Sequence, residues 1–357
     1  MAKNETPPAG DIRVGLIGFG LAGAVFHAPL VSTTEGLRLA AVVTSNPERA
    51  HEARRAYTGV LVLGTPEELW ARAGELDLVV VASPNRTHAP LALAALGAGL
   101  SVVVDKPLAA TASEGRRLRD EAERRGLLLT VFQNRRWDGD FLTVRRLLEG
   151  GSLGRVLRFE SRFERWRPRA KSGWRQSGAP EDAGGLLYDL GSHLIDQALL
   201  LFGPARRVYA ELGRPYPEVL ADNDTFVALE HAGGVRSHLW MSTAAAQPGP
   251  RFRVLGSEAA YTKFGLDVQE EALKRGARPG DAGWGEESEG DWGLTGAGDD
   301  LRPQRTEPGC YECFYRGVVS ALREGAPPPV DPSESVAVLE IIEAARRSHE
   351  ERQTVRL

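Results

Sequence analysis

The stretch RVGLIGFGLAGAVFHAPL, Arg13–Leu30, decides the fold. A short apolar run, Arg13–Gly18, ends in glycines spaced G-x-G-x-x-G at Gly18, Gly20 and Gly23, and a helical pattern begins at once. Each glycine has its own reason. The first permits a tight turn, the second lets a pyrophosphate approach the backbone, and the third lets helix and strand pack closely. The unpaired N–H groups of the helix start then face an anion. In this strand–turn–helix setting Gly18, Gly20, Leu21, Ala22 and Gly23 are expected to hold a dinucleotide; a purely structural turn is the alternative.

Outward from this turn, apolar runs recur at Leu37–Thr44, Val60–Leu63, Leu78–Ala82, Ser101–Asp105 and Leu127–Phe132, with helical patterns between them, clearest at His88–Gly99 and Ser113–Gly126. Continuous Val/Ile/Leu runs separated by helices predict a doubly wound parallel sheet covered on both faces, here a Rossmann domain over residues 11–133. Past Gly150 the pattern changes. Val156–Trp166 alternates apolar Leu157, Phe159 and Phe163 with charged neighbours, which predicts a half-buried strand of an antiparallel sheet. Further strands are expected at Arg207–Leu212, Thr225–Glu230, Val235–Met241 and Phe252–Val254, and helices at Leu186–Phe202, Tyr311–Arg323 and Ser333–Glu350. Residues 265–308, rich in Gly, Asp, Glu and Pro, read as a long loop or flap. The fold class is therefore α/β, with a second α/β domain over 134–357 built on a large, mostly antiparallel open sheet.

Composition narrows the partners. Among 357 residues, 42% are hydrophobic and 26% charged, as in ordinary globular proteins. A formal net charge of −4 gives no electrostatic reason to expect nucleic acid or an anionic membrane. No apolar stretch is long enough to span a bilayer. The polar start MAKNETPPAGD lacks the apolar core of a signal peptide, so a short disordered lead-in to a cytoplasmic protein is expected. Cys310 and Cys313, in PGCYECFYRG, form a CxxC that suits a redox centre or half a zinc site. With no second CxxC, packing or chance is the expected reading.

Three strand ends carry polar groups. The second ends AVVTSNPERA, placing Thr44, Ser45 and Asn46 where folds that prefer NAD usually carry an acid for the ribose, and Arg49 follows within a turn. Small polar groups beside a cation predict NADP(H) over NAD(H). The fourth exits through Ser83, Pro84 and Asn85, with His88 opening the next helix in a structural or cofactor-edge role. The fifth exits through Asp105, Lys106 and Pro107. Only five of the 44 basic residues are lysine, so a lysine kept at a strand end is conspicuous. Unlike arginine, lysine releases its proton when its surroundings lower its pKa. In GGLLYDLGSHLIDQALLLFG, Asp189, His193 and Asp196 share a helical stripe on an otherwise apolar helix. A satisfied hydrogen bond and a partial metal site are alternatives, but no complete ligand set is evident and no metal is expected. A proton-handling Asp–His pair suits alcohol oxidation beside a nicotinamide, which requires a base.

With GFGLAG, the SPN…H exit, DKP and YDLGSHLID in this order, residues 11–350 resemble the Gfo/Idh/MocA family, most closely NADP-dependent scyllo-inositol dehydrogenase-like members through FHAPL (Phe26–Leu30), QNRRWD (Gln133–Asp138) and YDLGSHLIDQ. The resemblance implies a catalytic set of Lys106, Asp189 and His193, a cofactor between the domains contacted also by Asp105 and Lys106, and often a cis peptide before Pro107. Asp105 departs from the family's glutamate. Substrate contacts are expected from Lys106, Asn134, Arg135, Tyr188, Asp189 and His193, and from Trp174 and Arg175 in the basic run Arg162–Gln176, which otherwise reads as a solvated face. The substrate expected is a cyclic polyol or sugar, the assembly a homodimer or homotetramer through the C-terminal sheet. Alternatives are a non-catalytic NADP-binding regulator, as in the family's galactose-pathway repressor, or the same chemistry on another substrate such as a dihydrodiol.

Overall fold

The computed structural model describes residues 10–167, 178–216, 218 and 220–357. Trp174 and Arg175, expected at the substrate, and residues 1–9 of the expected lead-in lie outside the described residues. The first sheet comprises β1 (Ile12–Ile17), β2 (Leu37–Val43), β3 (Leu61–Leu63), β4 (Leu78–Val81), β5 (Ser101–Asp105) and β6 (Leu129–Phe132). Every pairing is parallel, in the order β3-β2-β1-β4-β5-β6. Val79, Val80, Val102 and Val103 are wholly buried because helices cover both faces, which is why their sequence shows no alternation. The order reverses between β1 and β4, and ligands of open parallel sheets bind outside the strand ends at such a point.

The second sheet contains β7 (Val156–Glu164), β8 (Ala205–Gly213), β9 (Asp224–His231), β10 (Arg236–Ser242), β11 (Phe252–Gly256), β12 (Ala260–Lys263), β13 (Gly293–Ala297), β14 (Asp300–Gln304) and β15 (Val355–Arg356). Their order is β14-β13-β12-β11-β7-β10-β9-β8-β15. Only the β7–β10 pairing is parallel, so the sheet is mixed and mostly antiparallel, as expected. Phe159 and Phe163 of β7 are buried as its alternation predicts, whereas Leu157 is exposed.

Two expectations fail. Residues 265–308 are not an open flap: they hold a helix (Gln269–Lys274) and the hairpin β13–β14 that extends the sheet. Gly293 belongs there because a Cβ would stand 2.5 Å from the Tyr261 ring. The cysteines are also not mere packing, since Cys310 and Cys313 are joined by a disulfide. The last helix, Pro332–Glu351, starts with Asp331 and Glu334 in a capping box, and lies along the Ala112–Arg125 helix through Arg116–Glu340 and a bond from Ala112 N–H to Glu343.

Candidate active site

The phosphate turn separates its glycines by what surrounds them. Gly18 has φ +98°, and a Cβ there would stand 2.4 Å from Ala82 O; one at Gly23 would stand 2.0 Å from Gly18 O. Both are demanded by the fold itself. A Cβ on Gly20 would meet only the Arg49 guanidinium, at 3.7 Å. The space over Gly20 is therefore kept clear of protein backbone, as a bound pyrophosphate needs. Leu21, largely exposed, and Ala22 complete the turn.

Arg49 thus reaches back over the phosphate turn, next to the end of β2. Thr44 is half-buried there and Ser45 exposed. The Asn46 carboxamide oxygen caps the Pro47–Ala56 helix by accepting from Arg49 N–H at 3.0 Å, so part of its polar capacity is committed to the helix. Past β4, Ser83 Oγ and Thr87 Oγ1 are 2.6 Å apart, and Asn85 Nδ2 donates to Ala183 O across to the second domain. His88 is wholly buried between two carbonyls, Nδ1 at 2.7 Å from Pro107 O and Nε2 at 2.8 Å from Ser83 O. Burial pushes its pKa down, against the pull of Asp105 and these carbonyls. It joins the exits of β4 and β5.

At the end of β5 the Lys106–Pro107 peptide is cis. The Lys106 ammonium donates to Asp189 Oδ1 at 2.8 Å and also to Asp189 O. Asp105 points elsewhere: Oδ1 accepts from Lys106 N–H and lies 3.8 Å from His27 Nε2, whose ring bonds Tyr315 Oη through Nδ1 at 2.7 Å. Burial works to raise the Asp105 carboxyl, but His27, Lys106 and His88 hold it below the ordinary carboxylate value.

The helix carrying Asp189 and His193 starts with a π-turn, Leu187–Gly191, and continues as Ser192–Phe202. Asp222 anchors its start by accepting from Leu187 N–H at 2.8 Å. Three of its polar residues face the turn after β6, Asn134–Trp137. His193 Nδ1 lies 3.0 Å from Gln133 Oε1; Asp196 takes a bidentate pair from Arg136 at 2.6 and 2.7 Å; Gln197 donates to Arg135 O. Asp189 pairs with Lys106 instead, so the expected Asp189–His193–Asp196 stripe divides between two partners. Burial, then Lys106, Arg135 and Arg251, drive the His193 pKa well below the ordinary histidine value, leaving a neutral imidazole.

Two expected substrate contacts are otherwise engaged. The Arg135 guanidinium pairs with Glu270 and Asp138 and bonds Tyr311 Oη at 3.2 Å, while the Tyr188 hydroxyl donates to Ala110 O at 3.0 Å. Asn134 is buried at the start of its turn. Two residues not singled out from sequence adjoin the centre. Gln133 is the polar residue directly after an apolar strand, a signal shared by many strand ends. Half-buried Arg165 feels the field of both Glu270 and Asp189, while burial and Arg167 lower its pKa. Among the described residues no cluster of three or more His, Cys, Asp or Glu could hold a metal ion.

A glycine turn clear of backbone at the switch point of a parallel sheet, one strand exit from a Lys–Asp pair and a neutral histidine, defines an NAD(P)-dependent dehydrogenase. Known proteins resolve the class further. Residues 12–133 match the model of an oxidoreductase-family NAD-binding Rossmann fold, and residues 145–357 that of the same family's C-terminal alpha/beta domain. The chain belongs to the Gfo/Idh/MocA oxidoreductase family. It is 40% identical over 348 residues to an uncharacterized oxidoreductase of Escherichia coli K12, YdgJ, covering 97% of this chain and 98% of that one. It is 35% identical over 350 residues to the scyllo-inositol 2-dehydrogenase (NADP(+)) IolW of Bacillus subtilis strain 168, covering 97% and 96%. Among solved structures, the B. subtilis oxidoreductase yvaA superposes with a TM-score of 0.92 at 35% identity, covering 98% and 99% of the two chains. An oxidoreductase of Yersinia pestis gives 0.90 at 40%, covering 98% of each.

Proposed function

We propose that the protein is an NADP(H)-dependent oxidoreductase acting on a secondary hydroxyl or ketone of a cyclic polyol, of which inositols are the first candidates, or a sugar. The observation that carries this reading is the Lys106–Asp189 pair beside a neutral, buried His193 at the mouth of the parallel sheet. A nicotinamide dinucleotide held in this crevice would supply the hydride acceptor and donor. His193 Nε2 takes the proton of the substrate hydroxyl in the oxidative direction and returns it in reduction. Lys106 hydrogen-bonds the reacting oxygen or relays its proton, and Asp189 aims the ammonium. Gly18 to Gly23 hold the pyrophosphate, Ser83 to Asn85 line the dinucleotide crevice, and Thr44, Ser45 and Arg49 receive the 2′-phosphate. In this reading dinucleotide binding belongs to residues 11–133 and substrate binding and assembly to 134–357. Asn134 and Arg165 border the substrate, while Arg135 and Tyr188 shape the cleft from behind.

Two features support the finer choices. Thr44, Ser45 and Asn46 at the end of β2 include no acid, and Arg49 covers the phosphate turn. The relative IolW bears the name of an NADP(+) enzyme of scyllo-inositol. The outward face of the second sheet carries Phe226, His238 and Trp240 in mutual contact, with Arg162 stacked 3.9 Å over Trp240. We place the homo-oligomer contact on this face; light scattering that finds a monomer refutes it. The functional test is a screen of NADP+ and NAD+ reduction across inositol isomers and common aldoses. Turnover of a polyol with higher kcat/KM for NADP+ is expected. Preference for NAD+ refutes the cofactor choice, and tight dinucleotide binding with no turnover favours the regulator.

A further inference from the structure

The turn after β6 supplies a residue whose chemistry bears on the direction in which His193 handles its proton. Gln133 is 2% exposed, and its backbone is fixed on both sides: its N–H bonds Val131 O at 2.8 Å, and its carbonyl accepts from Arg136 N–H at 3.0 Å. The carboxamide is therefore delivered from a rigid strand end to His193 Nδ1. On the other side of the ring, Nε2 has no hydrogen-bond partner among the described residues and is not fully buried.

A neutral imidazole has one N–H, and the partner of one nitrogen decides which nitrogen carries it. The carboxamide oxygen accepts only. Facing Nδ1, it places the proton there and leaves the lone pair on Nε2. We propose that Gln133 is a positioning residue that holds His193 as its Nδ1–H tautomer, so that Nε2 meets the substrate hydroxyl as a base. This rests on the dehydrogenase reading above.

The amide, rather than an acid, fits the surroundings. The charged groups that act on His193 are Lys106 from the β5 exit, Arg135 from the turn after β6 and Arg251 beside β11, all cations. Asp189, on its own helix, is paired with Lys106, and Asp196 with Arg136. A carboxylate at position 133 would give the ring an anionic partner and retain the proton on both nitrogens. Glutamine selects the tautomer without stabilising the imidazolium.

The test uses the full chain with 15N-labelled histidine. The His193 signals are assigned by their loss in His193→Asn. In the unsubstituted protein at neutral pH, Nδ1 should show the shift of a protonated nitrogen and Nε2 that of an unprotonated one. Gln133→Met should abolish this pattern and lower kcat about tenfold or more, the lower end of what a positioned base contributes. Gln133→Glu is nearly isosteric and retains the acceptor. Its kcat should return toward the unsubstituted value at alkaline pH, while the acid limb of kcat/KM moves up by about one unit or more, as expected for a new anion against the ring. A purely structural residue would lose thermal stability in both variants without moving the limb. The proposal fails if the unsubstituted protein shows Nε2–H, or if Gln133→Glu leaves the limb in place. If no polyol is oxidised at all, the functional reading falls, and the nitrogen shifts still decide the role of Gln133.

Discussion

Replacing Lys106 separates a charge from a proton. The ammonium stands 2.8 Å from Asp189 Oδ1, with side-chain exposures of 15% and 34%. At that distance Coulomb's law gives about 6 kcal/mol for an effective dielectric constant of about 20, and about 1.5 kcal/mol with the screening of bulk water. With Asp189 a third exposed, the pair sits toward the screened end, and its loss should cost stability only on the order of 1 kcal/mol. A positioned proton donor at the reacting oxygen is worth about 10²–10⁴ in rate, or roughly 2.7–5.5 kcal/mol of barrier. Lys106→Met should therefore remain folded, bind NADPH nearly as before, and lose at least about two orders of magnitude in kcat. Lys106→Arg keeps the positive charge but cannot release a proton, and should also lose most of its turnover. The two variants differ in pH dependence. Lys106 is one of the charges that lower the His193 pKa, so its removal raises that pKa and moves the acid limb of kcat/KM to higher pH. The arginine variant keeps the charge and should leave the limb in place. Reduced-nicotinamide absorbance gives the rates, nucleotide fluorescence the affinity, and a thermal melt the stability. A fully active arginine variant would show that charge alone suffices. A methionine variant within about tenfold of the unsubstituted kcat would remove Lys106 from the chemistry altogether.

Gly20→Ala should keep its melting temperature and lose dinucleotide affinity, because its new methyl meets only the Arg49 guanidinium at ordinary contact distance, whereas Gly23→Ala should destabilise the domain through its 2.0 Å clash with Gly18 O. Equal destabilisation in the two melts would contradict this division. Arg49→Ala should raise the KM for NADP+ about tenfold and leave that for NAD+ nearly unchanged, since a hydrogen bond to a charged group is worth about 1.5–3 kcal/mol and this one is exposed. Parallel loss with both nucleotides would place Arg49 on shared phosphates instead. Arg136→Met leaves Asp196, 2% exposed, without its bidentate partner and should cost about 3–5 kcal/mol, with much of it recovered in Arg136→Met/Asp196→Leu. Denaturant unfolding measures both, and no recovery in the double variant would refute the buried-charge account.

The parallel half was legible because its physics is local. Val102–Val104 are apolar without alternation only if both faces are covered, and the clashes at Gly18 and Gly23 forbid other residues there. The hairpin β13–β14 was hidden for the opposite reason. β14 is an edge strand bearing Pro303, and most of it is exposed, so it has no buried face to impose alternation. Gly293 and Gly296 answer to Tyr261 and to Asp300 O, contacts that no local pattern announces. The disulfide was equally opaque, since two cysteines three apart fit packing, zinc or a bridge.

Within the site, the scarcity of lysine made Lys106 stand out, and the resemblance joined it to Asp189 and His193. The stripe Asp189–His193–Asp196 was a helical-wheel inference, and the π-turn at Leu187–Gly191 breaks the period on which such wheels depend. Asp189 meets Lys106 at the exit of β5, while His193, Asp196 and Gln197 bond Gln133, Arg136 and Arg135 O at the turn after β6. One helix thus bridges two adjacent strand exits. The Arg136–Asp196 pair ties the same helix to the turn after β6 three residues beyond the His193–Gln133 contact. A shift of about 1 Å in that contact costs rate as surely as losing a catalytic group. This is why a buried ion pair, a poor source of net stability, has a place beneath a site that depends on alignment.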